Sequence, residues 1–124
     1  MPIELRSRLQ PIRAAVGDPA TVAQRRAVGY SNWSVRASVD PDNVVAAAQE
    51  NEDLGFDGML IAERSGWPDV FARSAWALAH TTRIKTVSAH RIGRQSPTTT
   101  ARLVQTIDRL SNGRIVVHFI TGHN

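Results

Sequence analysis

The sequence predicts an α/β fold in which parallel strands alternate with helical crossovers. Three observations carry that expectation. Between residues 40 and 124, stretches of helical periodicity alternate three times with short apolar runs. Each helical stretch opens on a capping residue beside a proline. Polar residues and glycine gather just after each apolar run, where α/β folds place their functional loops.

The elements follow in order. Asp40-Pro41-Asp42 starts a helix over 41–54, with Asp40 as N-cap and Val44, Val45, Ala48 and Leu54 as its apolar stripe. Gly55 stops it. Gly58-Met59-Leu60-Ile61-Ala62 lies in a strand over 57–62, apolar throughout as suits a strand covered on both faces. Pro68-Asp69 opens a second helix over 68–79, with Phe71, Ala75, Trp76 and Leu78 as apolar positions. A strand over 84–90 ends at His90-Arg91. Ser96-Pro97 starts a helix over 97–110, where Leu103, Ile107 and Leu110 mark the buried face and Asn112-Gly113 supplies a left-handed cap. The last strand spans 114–121. Before Asp40 the signals weaken. Pro2, Pro11, Gly17, Pro19 and Gly29 interrupt the chain, leaving a helix over 20–28 and a short strand over 33–39 as its candidate elements.

Composition sets the class. The 124 residues are 42% hydrophobic and 21% charged, as in a soluble globular domain. No apolar run approaches the roughly 18 residues of a membrane span, and the N-terminus lacks the apolar region of a signal peptide, so a cytoplasmic protein is expected. The absence of cysteine excludes disulfides, thiolate metal sites and cysteine nucleophiles. The net charge of +4 sits in residues 1–39, where Arg6, Arg8, Arg13, Arg25, Arg26 and Arg36 face Glu4 and Asp18. Residues 40–124 hold nine basic and nine acidic residues. The sequence thus reads as a basic segment, 1–39, followed by a neutral domain, 40–124. Such a segment suits a nucleic-acid or membrane surface, a transit-like leader or a plain extension, and the extension is the reading favoured here.

Three stretches resemble the luciferase-like FMN-dependent monooxygenases, in particular the alkanesulfonate monooxygenase branch. They are Glu52-Asp53-Leu54-Gly55-Phe56-Asp57-Gly58, then Ser96-Pro97-Thr98 with Ala101-Arg102, and finally Thr106-Ile107-Asp108-Arg109-Leu110-Ser111-Asn112-Gly113-Arg114 followed by Phe119-Ile120-Thr121-Gly122. The resemblance implies the N-terminal half of a (β/α)8 TIM-type barrel, incomplete at 124 residues because a closed barrel needs about 250. Its first strand is expected within residues 1–39, with Trp33–Val39 as an imperfect match. The resemblance also implies FMN, used as reduced FMN with dioxygen on a small organic substrate, and a flavin reductase as partner. A chain with only the early strands is expected to be a truncated or remnant member. It would bind FMN weakly or not at all, leave oxygenation at the free-flavin background and tend to form homo-oligomers.

By the same resemblance the cofactor-binding residues are Glu63, Ser88, Ala89, His90, Thr121 and Gly122, with Arg91 facing the substrate. They are expected to line one end of the sheet. In some relatives the peptide corresponding to Ser88-Ala89 is cis. Read alone, Glu63 is an ordinary loop carboxylate paired with Arg64, Ser88 and Ala89 are two small residues at a strand end, and His90-Arg91 is a solvated strand end. Gly122 is a turn glycine. His118 reads as a core histidine, His80 as the electrostatic cap of a helix, and Trp33, Trp67 and Trp76 as packing residues.

Two other classes stand beside the monooxygenase reading. A non-enzymatic interaction fragment would pair its open sheet edges with another chain. A metal-dependent hydrolase would use His90, His118 and His123, but these lack the helical spacing of a zinc motif, so no metal is expected.

Overall fold

Backbone capping fixes where each helix begins. In this computed structural model, which describes residues 6–9, 40–64 and 67–121, the Asp40 side chain accepts from the Asn43 N–H at 3.1 Å. Helix α1 follows over Pro41–Asp53 with proline in its first turn. Asp69 caps α2 (Val70–Ala79) through the Ala72 N–H at 2.8 Å, so Pro68 lies just before the helix rather than inside it. Ser96 caps α3 (Pro97–Ser111) through the Thr99 N–H at 3.2 Å. At the other ends Gly55 has φ +86°, and Asn112 (φ +55°) and Gly113 (φ +79°) are both left-handed. The Gly113 N–H donates back to the Asp108 carbonyl at 2.9 Å.

Four strands form one parallel sheet in sequence order: β1 (Arg6–Leu9), β2 (Gly58–Ala62), β3 (Lys85–Arg91) and β4 (Ile115–Ile120). The strand beside β2 is therefore Arg6–Leu9, within the basic segment. Arg-Ser-Arg-Leu has no apolar run to announce it, and its pairing is a backbone matter. The candidate helix over 20–28 and strand over 33–39, with Trp33, lie outside the described residues.

One face of the sheet carries the core. Met59, Ile61, Ile84 and Ile115 pack with Val44 and Ala48 of α1, Val70, Phe71, Ala77 and Leu78 of α2, and Ile107 of α3. Every crossover thus delivers its helix to the same side. Alternation places Thr86, Ser88 and His90 toward that helix layer and Val87, Ala89 and Arg91 toward the other face.

Three expected apolar positions are corrected. Leu54 follows the last turn of α1 and is exposed. Leu110 is 79% exposed, because the buried stripe of α3 runs through Thr100, Ile107 and Ser111 and a residue three past Ile107 turns about 60° away. Trp76 is 46% exposed; its indole N–H donates to the Pro41 carbonyl at 3.3 Å, and its ring lies 4.5 Å from that of His80. His80 closes α2 through a contact of Nδ1 with the Trp76 carbonyl at 2.8 Å. His118 is not in the core. It is exposed on the edge strand β4, on the face away from the helices.

The end of the sheet where the strands begin is closed by two polar clasps. The Glu52 carboxylate accepts from the N–H groups of Thr82, Arg83 and Ile84 and from the Thr82 hydroxyl, at 2.6–3.2 Å. The Arg114 guanidinium donates to Ser111, Thr81, Ile84 and Leu78. Desolvation works to raise the Glu52 pKa, but hydrogen bonds from Ile84, Thr82 and Arg83 outweigh it and hold the carboxyl down to about 2, from 4.5. A depressed folded-state value stabilises the fold above the unfolded value, and the gain is lost as pH falls through the folded one. The urea midpoint of the protein should therefore exceed that of Glu52→Gln by a constant margin above pH 4.5. That margin should shrink between pH 4.5 and 2; a margin independent of pH would remove the charge from the explanation.

Candidate functional site

The strand C-termini present a different chemistry. Glu63 directly follows β2, and its N–H extends the sheet by donating to the Ala89 carbonyl at 3.1 Å. Its carboxylate turns to β3. Oε2 lies 2.8 Å from His90 Nδ1 and accepts from the Arg91 N–H at 2.7 Å, while Oε1 is 3.5 Å from Arg94 Nε. Glu63 is therefore not an exposed carboxylate paired with Arg64. The Arg64 guanidinium sits instead over the Trp67 ring, 5.1 Å from its centroid.

His90 is 3% exposed and points into the helix layer. Its ring is 5.1 Å from Phe71, and Nε2 is 3.4 Å from the Thr100 hydroxyl of α3. It is neither a solvated strand end nor a side chain open to the mouth. Ser88 is fully buried on the same face, its hydroxyl 2.7 Å from that of Ser74. Ala89 faces the other way beside Ala62 and His118. The Ser88-Ala89 peptide is trans, as are all those described. Arg91 shares the face of Ala89 and pairs with Ile120. Thr121 is exposed just beyond β4, and Gly122 and His123 lie outside the described residues.

Glu63, Ser88, Ala89, His90, Arg91 and Thr121 thus lie toward one end of the sheet but not on one face. Glu63 and Arg91 present groups to the end, Ala89 lies buried on the face away from the helices, and the side chains of Ser88 and His90 are consumed by contacts with α2 and α3. A metal triad of His90, His118 and His123 has no geometric support, since His90 and His118 lie on opposite faces. Among the described residues no cluster of three potential metal ligands occurs.

Residues not singled out from the sequence complete this end. Arg73 is buried in α2; its Nε donates to the Pro68 and Asp69 carbonyls and Nη2 to Ala62 at 2.8 Å. Burial pulls its pKa down to about 10 against the pull of Asp69 and Glu63, so it stays charged at neutral pH. Its one legible signal was a lone cation within the apolar run of α2. Buried side-chain atoms without a hydrogen-bond partner among the described residues are Trp67 Nε1, Arg73 Nη1, Gln95 Oε1 and Thr86 Oγ1. The first two belong to the connection and helix after β2, and the third to the loop after β3. The fourth, Thr86 Oγ1, lies at the opposite end, near the start of β3, where the Glu52 and Arg114 clasps take up the other polar groups.

No helix among the described residues is long and apolar enough to cross a membrane. The family model for luciferase-like monooxygenases matches residues 23–124. The match takes in α1 through β4 and the strand ends that carry Glu63, His90 and Arg91, and β1 precedes it. Spanning most of the sequence and all three helical crossovers, it establishes that the chain belongs to the luciferase-like monooxygenase family.

Proposed function

We propose that this chain is part of an FMN-dependent monooxygenase acting on a small organic substrate, with the flavin at the C-terminal end of a (β/α)8 barrel to which these four strands contribute. The observation that carries the reading is the contrast between the sheet's two ends. One is closed by the Glu52 and Arg114 clasps, with the Thr86 hydroxyl the one buried side-chain polar atom without a partner there among the described residues. The other holds the Glu63 cluster and the unused donors Trp67 Nε1 and Arg73 Nη1. A buried donor without an acceptor costs about 1–3 kcal/mol, and such groups collect where a ligand completes them. FMN offers ring carbonyls and a phosphate as acceptors, which suits that donor set. When bound, reduced FMN supplies the activation of dioxygen.

The residues divide the remaining tasks. Ala89, with its small side chain, lets a flat ring approach the backbone. Arg91 offers a guanidinium to an anionic group, where its fork favours phosphate or sulfonate. The Thr121 hydroxyl and the Gly122 backbone extend the same rim, while Ser88 and His90 act from the helix side by holding β3 in place. A flavin reductase would deliver the reduced cofactor in a cytoplasmic setting, and the exposed edge of β4, where Phe119 is 60% exposed, suits association with further strands or another copy.

The test is titration of FMN with the 124-residue chain, followed by flavin fluorescence. Weak, saturable quenching is expected, and Arg91→Ala should weaken it about tenfold, the scale of one lost charged hydrogen bond. Absence of saturable quenching up to about 1 mM, where binding is worth only about 4 kcal/mol, would sink the flavin reading. With reduced FMN and short alkanesulfonates, product should stay at the free-flavin background, because the loops of four strands leave the ring open to water.

A further inference from the structure

We infer that Glu63 is a positioning residue that sets the direction in which Arg91 leaves β3, and with it the course of the β3–α3 loop across the mouth. The inference rests on the reading of that end as a flavin site. His90 and Arg91 are consecutive and point to opposite faces. Glu63 Oε2 takes the side chain of the first at 2.8 Å and the backbone N–H of the second at 2.7 Å. One oxygen thus fixes both the roll of the strand end and its height above β2. Oε1 reaches Arg94 Nε at 3.5 Å, within the turn where Gly93 has φ +91° and the Arg94 N–H returns to the Arg91 carbonyl at 3.3 Å. His90 carries the restraint onward, to Phe71 on α2 and to the Thr100 hydroxyl in the first turn of α3.

Apart from Phe71, none of these residues belongs to the apolar core, which closes without Glu63. They cross-link the ends of β2 and β3 and the start of α3, the elements whose mutual placement shapes the mouth. A carboxylate suits the task because it accepts two hydrogen bonds at one oxygen and an ion pair at the other. Because a carboxylate only accepts, the His90 Nδ1 contact is made through its proton, while Nε2 faces the Thr100 hydroxyl at 3.4 Å.

The test uses Glu63→Ala, Glu63→Gln and, as a control of like chemistry at the opposite end, Glu52→Gln. Backbone amide exchange and the His90 ring nitrogens are followed by NMR without ligand, and FMN is then titrated. In Glu63→Ala the Arg91 and Ile92 amides should exchange about 10- to 100-fold faster while those of Met59 and Ile61 hold their rates, as expected for a local opening. In Glu63→Gln the amide oxygen can take the Oε2 position and keep both His90 Nδ1 and the Arg91 N–H, with its NH2 toward Arg94, so these amides should stay near wild-type rates. In Glu63→Ala His90 Nδ1 loses its acceptor, and its ring-nitrogen signals should shift, a change that loss of stability alone does not produce. FMN affinity should fall about tenfold in Glu63→Ala and stay unchanged in Glu52→Gln. Unchanged exchange at Arg91 and Ile92 together with unchanged His90 ring signals in Glu63→Ala would overturn the inference. If those signals move as expected but the wild-type chain binds no FMN, the loop restraint stands and the flavin reading fails.

Discussion

Arg114→Ala should lower the unfolding free energy by about 3–5 kcal/mol and the melting temperature by about 10–20 °C. The guanidinium donates to the Ser111, Ile84 and Leu78 carbonyls and the Thr81 hydroxyl, at 2.7–3.3 Å. It therefore ties the C-termini of α2 and α3 to the starts of β3 and β4. Each charged hydrogen bond contributes about 1.5–3 kcal/mol, and four sharing one group add less than their sum. Arg114→Lys keeps the charge but not the fork, so about half the loss should remain. Urea unfolding of the three proteins decides it. A loss below about 1 kcal/mol for the alanine variant would show the clasp to be incidental. This arginine closes the Asp108–Arg114 signature, so that stretch marks a structural lock at the end opposite the proposed flavin site.

Phe71→Ala is expected to cost a similar 3–5 kcal/mol, for a different reason. Phe71 is almost wholly buried in α2 against the sheet, and its truncation leaves a cavity that the packed helix layer cannot fill. The ring also lies 5.1 Å from that of His90, so the variant should loosen the Glu63–His90 contact as well as the core. Phe71→Leu keeps most of the volume and should cost less than about 1.5 kcal/mol. Calorimetry gives the stabilities, and His90 ring signals report the site. A Phe71→Ala protein with wild-type His90 signals would separate the core from the site.

The sequence by itself determined the three βα units from Asp40 onward. Each boundary was written in local chemistry: Asp40-Pro41 and Ser96-Pro97 at helix starts, Gly55 and Asn112-Gly113 at helix ends, and apolar runs between them. These signals act within four residues, so they survive without knowledge of the rest of the fold. It also placed Glu63, His90 and Arg91 at strand ends, because parallel βα alternation carries all strand C-termini to one side.

Tertiary structure alone decided the rest. Arg6–Leu9 became the first strand because β2 offered it an edge, a backbone transaction with no side-chain pattern to read. The sequence pattern suggests a buried His118 and a solvated strand end at His90, and the structure reverses both burials. A strand of alternating residues names two faces but not which one the helices cover, and only the packed helix layer breaks that symmetry. Glu63 was weighed against its neighbour Arg64, yet its partners lie 27 and 28 residues away on β3. Adjacent residues on an extended chain point to opposite sides, whereas strands paired in a sheet bring distant residues within hydrogen-bonding distance.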